Sequence, residues 1–141
     1  MPKAGSAGPV LVDSGGWIAL LSARDQHHAE ADALFRRAVE DRVPLITTNL
    51  VLAEVHRFIL FRVGIRAATA ALARIESSPS VRIAFATESH HKAAQDWLAR
   101  FPDQRLTYTD ATSFAVMHAT KCRAALTFDH HFTVANFNLW R

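Results

Sequence analysis

Apolar positions along this chain follow two rhythms that alternate. Short, continuous, β-branched runs occur at Val10-Leu11-Val12 and at residues 43–46, 81–85 and 124–128. Continuous runs of this kind predict strands covered on both faces, because a half-exposed strand would alternate apolar with polar. Between them, apolar residues recur at helical spacing. Residues 28–39 place Ala31, Leu34, Phe35, Ala38 and Val39 together, with a polar opposite face. Further helices are expected around 17–21, 50–63, 66–75, 88–100 and 110–120. Thr47, Thr48 and Asn49 are N-cap candidates for the helix over 50–63, Gly64 closes it, and Thr87 caps the helix that ends at Arg100. Residues 134–140 predict a short edge strand.

Strands that alternate with helices define an α/β class: one domain, with a central, mostly parallel sheet of four to five short strands flanked by helices. Residues 1–8, MPKAGSAG, are small and polar and are expected to be a flexible lead-in to a folded domain over 9–141. The chain has 141 residues, half of them hydrophobic, enough for a single domain with a proper core. No apolar run approaches the roughly 18 residues that span a bilayer, and no signal peptide is visible. Cys122 is the single cysteine, so neither a disulfide framework nor a cysteine-based zinc site is expected. These features predict a cytoplasmic protein with no membrane partner.

The net charge is +3, and the sixteen basic residues comprise thirteen Arg and three Lys. Arginine's planar fork matches phosphate oxygens, which suits a nucleic-acid surface, although codon usage in a GC-rich genome gives the same bias. Where the acids fall is more informative. In a parallel sheet, ligands bind beyond the carboxyl ends of the strands. Asp13 follows the first strand, Asp129 follows the last long one, and Asp110 opens a helix whose preceding loop emerges on the same edge. Glu54 interrupts the otherwise apolar helical surface of Leu50, Val51, Leu52, Val55 and Ile59. Each has a plain alternative: a helix cap for Asp13, helix-end stabilisation for Asp110, a turn for Asp129, and pairing with Arg57 or Arg62 for Glu54. Taken jointly, the four read as one pocket. Several carboxylates cannot share a pocket ionised without a cation, and oxygen-only ligation favours Mg²⁺ or Mn²⁺. With these four set aside, sixteen basic residues face nine acidic ones, so the surface around the pocket is basic.

The segments VDSGGW, TTNLVLAEV, TYTDATSFAVM and LTFDHHF, in this order and spacing, resemble the PIN-domain nucleases, above all the small VapC-type toxins of bacterial toxin–antitoxin pairs. The resemblance runs from Val10 to about Trp140. It implies that Asp13, Glu54, Asp110 and Asp129 are the catalytic, metal-binding acids, with the position of the fourth acid varying across the family. Ser14 and either Thr107 or Thr109 match the family's small hydroxyl positions beside them. The implied activity is Mg²⁺- or Mn²⁺-dependent cleavage of an RNA phosphodiester, in tRNA, rRNA or mRNA. The implied partners are the RNA, a cognate antitoxin protein and a second copy in a homodimer. By the same resemblance, the helical hairpin of residues 49–75 helps to form the antitoxin groove.

Eight histidines are present, six of them in adjacent pairs: His27-His28, His90-His91 and His130-His131. Neighbours on a helix point in different directions, so these pairs are expected to chelate poorly, and no HExxH framework is present. His130 and His131 stand close enough to Asp129 to approach a substrate. Arg24, Arg57, Arg62 and Arg105 lie nearest the motif segments and are the candidate RNA contacts. Two other readings are a catalytically inactive PIN scaffold that binds RNA or protein, and a receiver-like signalling domain. The second would need an acidic neighbour beside Asp13 and a lysine after a late strand, whereas Lys121 precedes that strand.

Overall fold

Val10, Leu11 and Val12 form the central strand of a five-stranded sheet and are fully buried. The computed structural model describes residues 8–141, so the lead-in expected over 1–8 lies, up to residue 7, outside the described residues. The strands are β1 (Val10–Val12), β2 (Leu45–Thr48), β3 (Val81–Ala84), β4 (Ala124–Leu126) and β5 (Asn138–Leu139). The helices are α1 (Ser14–Leu21), α2 (His28–Glu40), α3 (Asn49–Arg62), α4 (Ile65–Ser77), α5 (Glu88–Arg100), α6 (Tyr108–Ala119) and α7 (His131–Val134). Strand order is β3-β2-β1-β4-β5 and every pairing is parallel. The chain therefore winds outward from β1 to β3, returns to the other side of β1 as β4, and winds outward again. The gap between β1 and β4 is the topological switch point, where sheets of this kind open a crevice.

Alternate side chains of β1 serve two cores. Val10 and Val12 join Leu45, Leu126 and the inner faces of α1 to α4. Leu11 turns the other way to meet Phe114, Met117, Ala125 and Phe132. That division explains the continuous apolar runs, since both faces are covered. The second core is aromatic. Phe114 stands edge-on to Phe132 with ring centroids 4.9 Å apart, and Trp97 stands edge-on to Phe114 at 5.3 Å.

Three boundaries differ from expectation. β2 sits two residues further on than 43–46 suggests and includes Thr47 and Thr48. Thr47 is tolerated in the core because its hydroxyl donates to the Val12 carbonyl at 3.0 Å and accepts from Trp17 Nε1 at 3.1 Å. Thr48 is the N-cap of α3, accepting from the Val51 amide. Helix α6 begins two residues earlier than Asp110, because Thr107 caps it, which places Asp110 in its first turn. The edge strand expected over 134–140 is shorter, Asn138–Leu139, paired with β4, and follows a helical turn, His131–Val134, seated by buried Phe132. No helix among the described residues is long and apolar enough to cross a membrane.

Gly16 is where α1 meets the end of β4. A Cβ there would lie 2.6 Å from the Leu126 carbonyl oxygen and 3.0 Å from Val12 Cγ1. Gly15, one residue earlier, is exposed and would meet only the Asp13 carboxylate at ordinary contact distance. Gly16→Ala is therefore expected to destabilise the protein by about 1–3 kcal/mol through forced separation of α1 from β4. Gly15→Ala should be neutral or slightly stabilising through helix propensity. Urea unfolding of both variants checks this, and equal effects at the two positions would contradict the packing argument.

Candidate active site

The first turn after β1 fixes Asp13. Its extended backbone makes it the N-cap of α1, and its Oδ1 accepts the Gly16 amide at 2.8 Å. The other carboxylate oxygen, Oδ2, accepts the Thr127 hydroxyl at 2.5 Å. Asp13 thus both caps a helix and stands buried, 4% exposed, at the mouth of the central strand. Thr127 follows the end of β4, directly across the switch point. Its oxygen also accepts the Asp129 amide at 3.0 Å, so one hydroxyl ties the first acid to the loop that carries the last.

Glu54 is half-buried on α3, and Ser14 Oγ donates to its Oε1 at 2.8 Å. The alternative pairing of Glu54 with Arg57 or Arg62 is not made. Those guanidinium groups lie over the Phe61 and Phe58 rings, at 4.9 and 5.0 Å from the centroids. Asp110, also half-buried, is placed by the Thr107 cap, so of the two threonines considered, Thr107 is the one that organises this helix end. Thr109 is half-buried immediately before Asp110. Asp129 closes a tight turn, its Oδ1 accepting the His131 amide at 2.9 Å.

The acids feel one another. Burial pushes the Asp13 carboxyl up to about 7, against the lowering effect of its bonds from Thr127 and Gly16, while Asp110 and Asp129 push it further up. Asp110 is raised to about 6, first by burial and next by Asp129, with Glu54 adding to the shift and the Thr107 bond and the His131 charge opposing it. The fold therefore brings Asp13, Asp110 and Asp129 within electrostatic reach of one another, and Glu54 within reach of Asp110. Among the described residues, Asp13, Glu54 and Asp110 form no ion pair with Lys or Arg. Neighbouring carboxylates, two of them raised chiefly by burial, are chemically suited to a divalent metal.

Thr127 was not identified from sequence. A threonine at a strand end reads as ordinary β-branched filler, and its role depends on the pairing of Val12 with Leu126, which sequence spacing does not display. Beyond Glu54, a shallow groove runs along α3, lined by Ser14, Ile18, Arg57, Phe58, Phe61 and Arg62. Two of the four candidate RNA-contacting arginines, Arg57 and Arg62, thus share a groove with Glu54. Arg24 and Arg105 are exposed elsewhere on the surface. Larger hollows, around Trp17 and Arg74 and beneath Pro9 and Pro44, are not lined by the four acids.

A parallel sheet with this order, carrying acids at its switch point, fits a PIN domain, and the chain belongs to that family: residues 10–138 match the family model described as PIN domain. Within the family, the chain is a homologue of the VapC-type toxin ribonucleases. It is 36% identical over 129 residues to the 23S rRNA-specific endonuclease VapC20 of Mycobacterium tuberculosis strain CDC 1551 / Oshkosh, covering 91% of this chain and 95% of that protein. The same enzyme from strain ATCC 25618 / H37Rv matches equally. The crystal structure of Mycobacterium tuberculosis VapC20, described as a sarcin-ricin loop cleaving toxin, aligns with a TM-score of 0.82 at 35% identity, covering 91% of this chain and 95% of that one. The PIN nucleases and the toxin homologue fit the nuclease reading of the sequence. They lend nothing to the receiver-like reading or the inactive scaffold.

Proposed function

We propose that this protein is a metal-dependent endoribonuclease toxin that uses Asp13, Glu54, Asp110 and Asp129 to hold Mg²⁺ or Mn²⁺ and cuts a structured RNA. The observation that carries this reading is the electrostatic proximity of four acids, none paired with a Lys or Arg among the described residues, two with carboxyls raised by burial. A divalent ion held there supplies acidification of an attacking water and neutralisation of charge on the phosphate. The chain's own groups set the stage. Gly16 and Thr127 pin both oxygens of Asp13, leaving its orientation fixed before any ligand arrives. Ser14 aims Glu54, and Thr107 sets the helix end that presents Asp110. Arg57 and Arg62, stacked on aromatic rings beside Glu54, offer guanidinium groups to a phosphate backbone. The VapC20 relative acts on 23S rRNA, and its sarcin-ricin loop is the first substrate to test here. A cognate antitoxin that masks this face, a homodimer and a cytoplasmic setting complete the reading.

The test is cleavage of ribosomal RNA and of a sarcin-ricin hairpin by purified protein, with and without chelator. Cleavage that needs Mg²⁺ or Mn²⁺, and that drops by about 10²-fold or more in Asp110→Asn, is expected. Chelator-resistant cleavage, or an unimpaired Asp110→Asn variant, overturns the assignment.

A further inference from the structure

Neighbouring histidines on a helix are expected to diverge and to chelate poorly. At the end of β4 they do not diverge. Asp129 lies before the helical turn α7, His130 is its N-cap and His131 its first residue. Both imidazoles turn their Nδ1 atoms toward one oxygen, Asp129 Oδ1: His131 at 2.9 Å and His130 at 3.7 Å. One donor atom from each of the three residues falls within 4.8 Å of the others. The two rings stand 4.2 Å apart between centroids.

The His131 imidazole and the Asp129 carboxylate touch without hydrogen-bond geometry. Oδ1 already accepts the His131 backbone amide at 2.9 Å, and the imidazole Nδ1 is sealed from solvent without a hydrogen-bond partner. Donors bound to one transition ion at about 2.0–2.2 Å stand roughly 3 Å from each other, close to the spacing found. Imidazole with carboxylate also differs in kind from the oxygen-only pocket beside it. Imidazole suits Zn²⁺, Ni²⁺ and Co²⁺, whereas carboxylate, carbonyl and water suit Mg²⁺.

We propose that Asp129, His130 and His131 form a second metal site that takes a borderline transition ion, with Zn²⁺ the expected occupant, and that shares Asp129 with the acidic pocket. Asp110, which lies within electrostatic reach of His131, borders the same space. The two sites are thereby distinguished by donor chemistry: oxygen donors for the ion assigned to the nuclease site, nitrogen with oxygen for the other. The inference stands on donor geometry and does not require the nuclease reading.

Binding of Zn²⁺ to the metal-stripped full-length protein, measured by titration calorimetry in excess Mg²⁺ and by zinc-edge X-ray absorption, tests it. The expected result is one Zn²⁺ that Mg²⁺ does not displace, with imidazole scattering in the absorption spectrum. Asp13→Asn combined with Asp110→Asn should retain that ion. His130→Ala should weaken it by about tenfold or more, and His130→Ala with His131→Ala should remove it. His130 has a 74% exposed side chain, so the single variant remains informative even where the double variant fails to fold. Zinc that is displaced by Mg²⁺, that is lost with the acid variants but kept by His130→Ala, or that shows only oxygen scattering overturns the proposal. So does the absence of any zinc uptake.

Discussion

Asp13→Asn is expected to lower RNA cleavage by at least about 10²- to 10³-fold while the protein stays folded. Three observations set this expectation. Asp13 is the most deeply buried of the four acids, and it is fixed through both oxygens. An amide keeps the shape and can still accept the Gly16 amide through its oxygen, so the cap of α1 survives. It cannot carry the negative charge that holds a divalent ion. The other half of the side chain becomes an NH₂ facing Thr127, whose oxygen already accepts the Asp129 amide. The hydroxyl must then redirect its proton, a local cost on the order of 1 kcal/mol. Removing a buried carboxyl whose ionisation is disfavoured works in the opposite direction. Cleavage assays with matched thermal melts check both parts. Near-normal cleavage eliminates Asp13 as a metal holder, and a collapsed melt shows that its cap matters more than its charge.

The positions of the acids were readable because each depends on a local boundary. Asp13 and Asp129 follow apolar runs, and Glu54 stands out because its neighbours on α3 are apolar. The hydroxyl network was readable only in part. Thr107 caps the helix end that carries Asp110, three residues on, whereas Ser14 neighbours Asp13 in sequence but donates to Glu54. Thr127 acts across the sheet on a residue far away in the chain, and only the parallel register of β1 with β4 brings it there. Thr47 was misplaced for a related reason. Threonine is at home both at caps and in strands, and the choice was made by Trp17 and the Val12 carbonyl, both remote in sequence. The closeness of the rings of His130 and His131 was not legible either, since His130 already has right-handed helical backbone. His130 precedes the first helical residue and keeps its ring beside that of His131.

Thr127 and Gly16 also show why the switch point is rigid before any ligand binds. Gly16 brings the backbone of α1 against the Leu126 carbonyl, and Thr127, one residue later, clasps the carboxylate that caps the same helix. Packing and polar contacts thus act on one junction. A metal entering such a site meets ligands already held in place, which reduces the ordering cost of binding. The cost of that arrangement is electrostatic, and it falls on the metal-free protein.

The pH dependence of stability follows from that cost. In the unfolded chain both carboxyls titrate near 3.8, whereas in the fold Asp13 is raised to about 7 and Asp110 to about 6. Between these limits the native state binds more protons than the unfolded state, so stability falls as pH rises. The contribution of the two groups is fully present below about pH 4 and is lost once pH passes through 7. For Asp13 it is on the order of a few kcal/mol, and Asp110 adds to it in the same direction. Mg²⁺ or Mn²⁺ should reverse the trend, because the ion binds the ionised carboxylates and stabilises only the native state. The metal-induced rise in Tm is therefore expected to be small at pH 5 and to reach several degrees by pH 8. Asp13→Asn should flatten both curves. Its amide does not titrate, so the difference between wild type and variant isolates this group from the other titrating residues. Melts across pH 5–8, with and without metal, provide the measurement. A wild-type Tm that climbs relative to Asp13→Asn as pH rises without metal would show that the buried carboxylate is stabilised in its charged form, contrary to the burial argument.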